Sequence, residues 1–308
     1  MSAISVKNVT KKFKSFTAVD GLSFEVAKNH VVGFLGPNGA GKTTTIRTIV
    51  GLSKPTTGSI TIADIPVIFG QSESNKKIGY LPEAPAFYAW MTGLEYLSFI
   101  ADIFELPPDE KIQKLEELLK LVDLTSAKDK RISTYSNGMK QRLGIAQALI
   151  GDPEVLILDE PVSALDPVGR KEVLRVIEGL KKEKTIFFST HILSDVDRIC
   201  DDIILINEGK LIASSSLADL KTKYASPVLE VEFNGDPAGV LKSLEIEKWV
   251  SRVESNGNKI KIWLDDETAI GSNLALTFFS KQKVGVLRYG LTLPETEDLF
   301  IQLVGGKK

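Results

Sequence analysis

Gly36-Pro37-Asn38-Gly39-Ala40-Gly41-Lys42-Thr43-Thr44 gathers three glycines, a lysine and two hydroxyls into a single short stretch. An apolar run from Val31 to Leu35 leads into it, and a helix-like segment, residues 43–50, leads out. Consecutive backbone N–H groups in such a turn can face one anion, in conformations that a side chain would obstruct. The helix start adds unpaired donors and the positive end of its dipole. Lys42 is then placed for the β- and γ-phosphates of a nucleotide, Thr43 for Mg²⁺ and Thr44 for the α-phosphate. A second constellation, Asp159-Glu160, closes the apolar run from Val155 to Leu158. The C-terminal edge of a strand is where an open α/β sheet collects ligands. Asp159 suits the hydration shell of Mg²⁺ near Thr43, and Glu160 suits the orientation and deprotonation of an attacking water.

Tyr135-Ser136-Asn137-Gly138-Met139-Lys140-Gln141-Arg142 is a polar helix entrance. Ser136 or Asn137 can cap it. Gly138 falls within the first helical turn, where glycine costs about 1 kcal/mol relative to alanine. A closely approaching ligand would account for the missing side chain.

Elements that position these groups follow from periodicity. Short strands are expected at 4–9 and 22–26 before the glycine loop, with further strands at 59–63 and 78–81. Residues 93–150 turn helical, with Leu115, Leu118, Leu119 and Val122 on one stripe of a helix beginning near Asp109. Pro107-Pro108 ends the helix before it. Strand and helix then alternate at 155–158, 169–182, 185–189, 193–199 and 202–206, the order of a parallel sheet with covering helices. Ser214-Ser215-Ser216 is expected to open a short helical passage. A boundary at Ala225-Ser226-Pro227 divides residues 1–225 from 226–308. Beyond it the order is strand 228–233, helix 237–244, strand 250–255, a turn at Asn256-Gly257, strand 259–264, helix 268–281, strand 284–289 and a helix after Pro294. This is the split βαβ, or ferredoxin-like, order of a small α+β domain, with Trp249 and Trp263 as its core aromatics.

At 308 residues the chain accommodates about two domains. With 43% hydrophobic and 25% charged residues it has the composition of a soluble globular protein. A net charge of −2 without a Lys/Arg run argues against nucleic acid as partner. The lone Cys200 excludes an internal disulfide framework and fits a reducing compartment as a buried small hydrophobe. Residues 1–9 lack the apolar core of a signal peptide, and no run approaches the roughly 20 apolar residues that span a bilayer. His30, in a polar turn, is expected to be exposed.

Taken in order, the glycine loop, the helix entrance and Asp159-Glu160 resemble the ATP-binding cassette (ABC) ATPases, over about residues 4–225. The family signature is usually Leu-Ser-Gly-Gly-Gln; residues 135–139 depart from it at Tyr135, Asn137 and Met139 and keep Ser136 and Gly138. The resemblance implies an α/β P-loop NTPase core with an antiparallel β subdomain and residues 93–150 as a helical insertion. It implies ATP and Mg²⁺ as ligands, with Phe13 stacked on adenine (and Phe16 as competitor). Residues 163–166, ending in Asp166, match the loop that crosses the dimer interface. His191 matches the switch histidine that contacts the γ-phosphate. Where the family carries glutamine, Tyr80-Leu81-Pro82-Glu83 presents Glu83, either a ligand in the metal shell or a group facing a partner subunit. The aromatic run 84–90 that follows either packs the helical insertion or forms a groove for a short helix from a membrane subunit.

In such ATPases, ATP lies between two protomers, identical or closely related, each glycine loop facing the other's signature. Gly-Tyr-Leu-Pro-Glu, the variant signature and the C-terminal extension are similar to the export-type group, whose transmembrane permease subunits are separate chains. The resemblance thus implies a cytoplasmic ATPase held peripherally at the membrane by its permease. The alternative is a soluble cassette acting on ribosomes or DNA. Translation-type members carry two cassettes and repair-type members insert long coiled coils, neither of which this chain has.

Overall fold

The computed structural model describes residues 2–71, 73–163, 165–224, 228–264, 273–282, 284–292 and 300. Two compact units divide between Leu217 and Ala218, ahead of the boundary expected at 225/226.

In the first unit, β1 (Ser2–Phe13) and β2 (Phe16–Ala27) form a long antiparallel hairpin. The expected strands, 4–9 and 22–26, covered only the half of each that lies away from the turn. Register shifts between Val6 and Lys12 interrupt the alternation of apolar residues, which hides the halves next to the turn from a period-two reading. Next in the chain come β3 (Val31–Leu35), α1 (Lys42–Ile49), β4 (Thr57–Ile62) and β5 (Ile65–Pro66). The first sheet has the order β2-β1-β4-β5 and is antiparallel throughout.

The chain continues through β6 (Ile78–Leu81), α2 (Gly93–Ile103), α3 (Pro108–Leu121), α4 (Asn137–Leu149), β7 (Val155–Leu158) and α5 (Pro167–Leu180). It then passes through β8 (Thr185–Thr190), α6 (Leu193–Ile199), β9 (Asp202–Asn207) and β10 (Lys210–Ser216), and the division into units falls at the start of α7 (Leu217–Tyr224). The second sheet runs β10-β9-β3-β8-β7-β6, parallel except for β10 at its edge. Strands β3, β7 and β8 are buried along their whole length, as strands covered on both faces must be. Apolar side chains of the two sheets meet in one core, where Phe24 stacks on Phe187 and Phe34 tilts against both. Ser214–Ser216 do not open a helix: they pair with Ile204, Ile203 and Asp202, and the ladder overrides the local polar signal. Pro108, expected only as a breaker, is the first residue of α3, where a missing N–H costs nothing.

In the second unit, β11 (Val228–Asn234), α8 (Ala238–Leu244), β12 (Val250–Asn256), β13 (Lys259–Leu264), α9 (Leu274–Lys281) and β14 (Gly285–Thr292) build one sheet. Its order, β12-β13-β11-β14 with every pair antiparallel, is that of a split βαβ unit. Gly257 takes the positive φ that the turn between β12 and β13 requires. Trp249 and Trp263 are both buried. Residues 265–272 at the start of the helix expected over 268–281, and residues 293–299 and 301–308 of the one expected after Pro294, lie outside the described residues.

Candidate active site

Between β3 and α1 the backbone makes a tight, glycine-rich turn. Gly36 sits where a Cβ would fall 2.5 Å from the Ile206 carbonyl oxygen. Gly41, at φ 102°, would place a Cβ 2.5 Å from the Ala18 carbonyl oxygen. These two glycines are demanded by the protein's own packing. Gly39 is different: its φ is 81° and a Cβ would meet nothing within 4 Å. There the requirement is backbone direction, which keeps the N–H groups turned toward a cleft. Ala40 is buried, and its carbonyl accepts from Gly209 N–H, tying the loop to the β9–β10 turn. Among the described residues, no protein acceptor meets the N–H groups of Gly39, Gly41, Lys42, Thr43 or Thr44. A cleft of about 460 Å³ opens over them, lined also by Asn38, Glu83, Glu160, Ser163 and His191.

Lys42 is almost fully buried, and its ammonium rests on the loop. Nζ donates to the carbonyls of Gly36 (2.8 Å) and Pro37 (3.3 Å) and stands 3.4 Å from Glu160 Oε1. Across the cleft, β7 delivers Asp159 and Glu160 from its C-terminal edge. Glu160 takes the left-handed conformation, φ 48°, uncommon for a residue other than glycine. Ser189, fully buried at the end of the adjacent β8, secures both acids. Its hydroxyl donates to Asp159 Oδ1 (2.7 Å) and accepts from Glu160 N–H (2.8 Å). One residue beyond β8, His191 Nδ1 lies 2.9 Å from Glu160 Oε2. The sequence reading missed Ser189, although a serine inside the apolar run Ile186-Phe187-Phe188 was itself a signal.

Burial pushes the Asp159 carboxyl above the usual range, with smaller contributions from the charges of Glu83 and Glu160. The hydroxyls of Ser189 and Thr43 oppose that rise; Thr43 Oγ1 donates to Asp159 Oδ1 at 3.4 Å. Asp159 Oδ2 is buried with no hydrogen-bond partner. A buried unpartnered carboxylate oxygen beside a threonine hydroxyl fits a hard divalent cation such as Mg²⁺. Among the described residues, no three His, Cys, Asp or Glu side chains gather into a cage that would hold a metal by themselves. A site with so few protein oxygens suits Mg²⁺, which keeps waters and takes further ligands from phosphates.

Four of the expected groups stand apart from this cleft. Phe13 does not line it; Lys11 Nζ lies over its ring, and its cross-strand neighbour Phe16 lines the cleft instead. Ser136 caps α4 by accepting from Met139 N–H, and Asp166 caps α5 by accepting from Gly169 N–H. Both cap residues are exposed. Gly138 is buried against α5, where an added Cβ would stand 3.3 Å from Gly169 Cα. The close approach inferred for it is therefore made by a neighbouring helix of the same chain. Tyr135, which replaces the usual leucine, is buried and donates to the Ala127 carbonyl, a bond leucine could not make. His30 is not simply exposed: its Nδ1 pairs with Asp202. Cys200 is buried beside Gly33, and burial raises its thiol pKa well above the ordinary value.

Residues 19–163 match the family model described as ABC transporter. The ABC transporter ATP-binding protein YxlF of Bacillus subtilis is 37% identical over 302 residues, covering 98% of this chain and 99% of its own. The bacitracin transport ATP-binding protein BcrA of Bacillus licheniformis is 38% identical over 307 residues, covering 98% and 97%. Among solved structures, the dimeric post-hydrolysis state of the ATP-binding cassette MJ0796, bound to ADP and Pi, superposes with a TM-score of 0.63. That match has 26% identity and covers 70% of this chain and 98% of the cassette. With its phosphate loop facing an acid pair across one cleft, this chain belongs to the ABC transporter ATP-binding proteins, the ATP-hydrolysing subunits of ABC transporters.

Proposed function

We propose that two copies of this chain, or one copy and a close relative, clasp MgATP head to tail and drive separate transmembrane permease subunits. The observation that carries this is a division within the chain. The phosphate loop, Glu160 and His191 line the cleft, with Asp159 behind them against Thr43, whereas Ser136 and Asp166 cap helices outside its lining. In this reading the second copy supplies Ser136, Gly138 and the Asp166 loop to the first copy's nucleotide. The triphosphate then bridges a glycine loop and an opposing helix start, and both attract negative charge. Hydrolysis and phosphate release weaken the bridge, the pair opens, and permease helices follow.

Within the cleft, Gly36 to Gly41 shape the phosphate cradle and Thr44 donates to the α-phosphate. Thr43 and Asp159 hold Mg²⁺, with Glu83 reaching its shell from the cleft wall. Bound there, Mg²⁺ supplies positive charge against the β- and γ-phosphate oxygens. Lys42 exchanges the Gly36 and Pro37 carbonyls for phosphate oxygens and so releases Glu160. Glu160 orients the water and takes its proton, while His191 steadies Glu160 and contacts the γ-phosphate. Phe16 supplies the aromatic face beside the cleft, with Phe13 adjacent. Phe87 packs edge-on against Tyr96, while Tyr88 and Trp90 remain exposed, so the aromatic run suits both halves of its expected role. Its outer rings are the surface for a permease helix, which would hold the chain at the cytoplasmic face. Among the described residues no helix is long and apolar enough to cross a membrane.

Glu160→Gln tests the assignment: ATP binding is retained and hydrolysis falls by about 10²–10⁴-fold, the range for loss of a general base. Turnover equal to that of the parent would remove Glu160 from the role.

A further inference from the structure

Helices α4 and α5 touch without side chains between them. Gly138 and Gly169, each in the first turn of its helix, meet so closely that a Cβ on Gly138 would press on Gly169 Cα at 3.3 Å. One turn further along the same seam, Arg142 Nη2 stands 3.2 Å from Glu172 Oε2. Arg142 is buried, and its Nη1 donates to the carbonyls of Val122 (2.7 Å) and Asp123 (2.9 Å), just past the end of α3. The guanidinium thus faces α3, α4 and α5 together. From α5 the connection runs back to the cleft, because Ser163 donates through both N–H and Oγ to the Glu160 carbonyl.

We infer that the Gly138–Gly169 contact and the Arg142–Glu172 pair lock the Ser136 and Asp166 segments into one rigid piece, so that a change at one copy's Glu160 reaches the other copy's nucleotide. Arg142 and Glu172 are positioning residues: they touch neither ATP nor reacting atoms. Glycine at both crossing points lets the two backbones approach, and the ion pair fixes the rotation that the bare contact leaves free. The inference rests on the two-copy reading above and names what aligns its two contributed segments.

The test uses the full chain carrying Glu160→Gln, with MgATP, followed by sedimentation velocity across a range of protein concentrations. Onto this parent are placed Glu172→Gln, which removes the ion pair, and Glu172→Arg, which sets two cations together. All three residues have similar helix propensity, so α5 itself is not weakened in the order tested. The pair lies within one chain, so its loss raises the dimer dissociation constant only through lost alignment, by up to about fivefold per seam and about 25-fold for two. The arginine variant should lie beyond the glutamine one, while fluorescent-ATP affinity of the monomer stays parental and the melting temperature falls by no more than a few degrees. Dimer constants within about twofold of the parent for both variants, the arginine one included, would overturn the inference. So would a parallel fall in monomer affinity for fluorescent ATP, which would make the pair a support of the cleft within one copy. A parent that stays monomeric with MgATP overturns the two-copy reading, and this inference with it.

Discussion

Replacing Ser189 by alanine should injure the site more than the loss of one hydroxyl suggests. The hydroxyl is fully buried and serves two acids at once, at 2.7 Å to Asp159 Oδ1 and 2.8 Å from Glu160 N–H. Without it, a buried N–H loses its acceptor, at about 1–3 kcal/mol. A carboxylate also loses a charge-assisted bond of about 1.5–3 kcal/mol. The two losses overlap, because one hydroxyl makes both bonds. About 2–4 kcal/mol of stability is therefore expected to disappear, read from urea unfolding of the nucleotide-free chain. Glu160 holds a left-handed conformation, and this N–H bond is one of the few restraints on it. Turnover should fall by about 10–100-fold, as when a residue that orients a primary group is removed. Affinity for fluorescent ATP should change little, since Ser189 does not line the cleft. Stability within about 0.5 kcal/mol of the parent, as for an ordinary surface change, together with undiminished turnover, would refute the reasoning.

Asp159→Asn should stabilise the nucleotide-free chain while lowering Mg²⁺-dependent turnover. Burial raises this carboxyl's pKa on folding, so its ionised form opposes folding at neutral pH. The variant's gain in melting temperature should therefore be full above the raised folded value and close as pH falls to the ordinary carboxylate range; a gain independent of pH would contradict the cause. Phe16→Ala should weaken nucleotide binding by about 1–3 kcal/mol, the usual loss of one base-stacking ring, and Phe13→Ala by less. Titration with fluorescent ATP compares the two, and the reverse order would return the stacking role to Phe13.

How much of this was legible beforehand varied with how local the cause was. That Lys42, Thr43, Glu160 and His191 would share one cleft was readable because they follow the ends of the short apolar strands β3, β7 and β8, and a parallel sheet sends such ends to one edge. The split βαβ order beyond residue 225 was readable for the same reason, since period and turn residues fix strand and helix locally. Long-range partners were not. Nothing in the neighbourhood of Gly138 announced Gly169, and the choice between Phe13 and its competitor Phe16 could not be made from their neighbours in the chain.

The sequence by itself determined which groups the site has: a glycine-rich turn before a helix, an acid pair closing an apolar strand, and a helix entrance with its own cap. These follow from residue types at fixed spacing, which no packing can supply. Only the tertiary structure decided which groups meet. It set Ser189 between the two acids, laid Lys42 across the loop carbonyls and kept Ser136 and Asp166 out of the cleft lining. Such contacts depend on strand order and helix crossing, and those are fixed by burial over the whole unit.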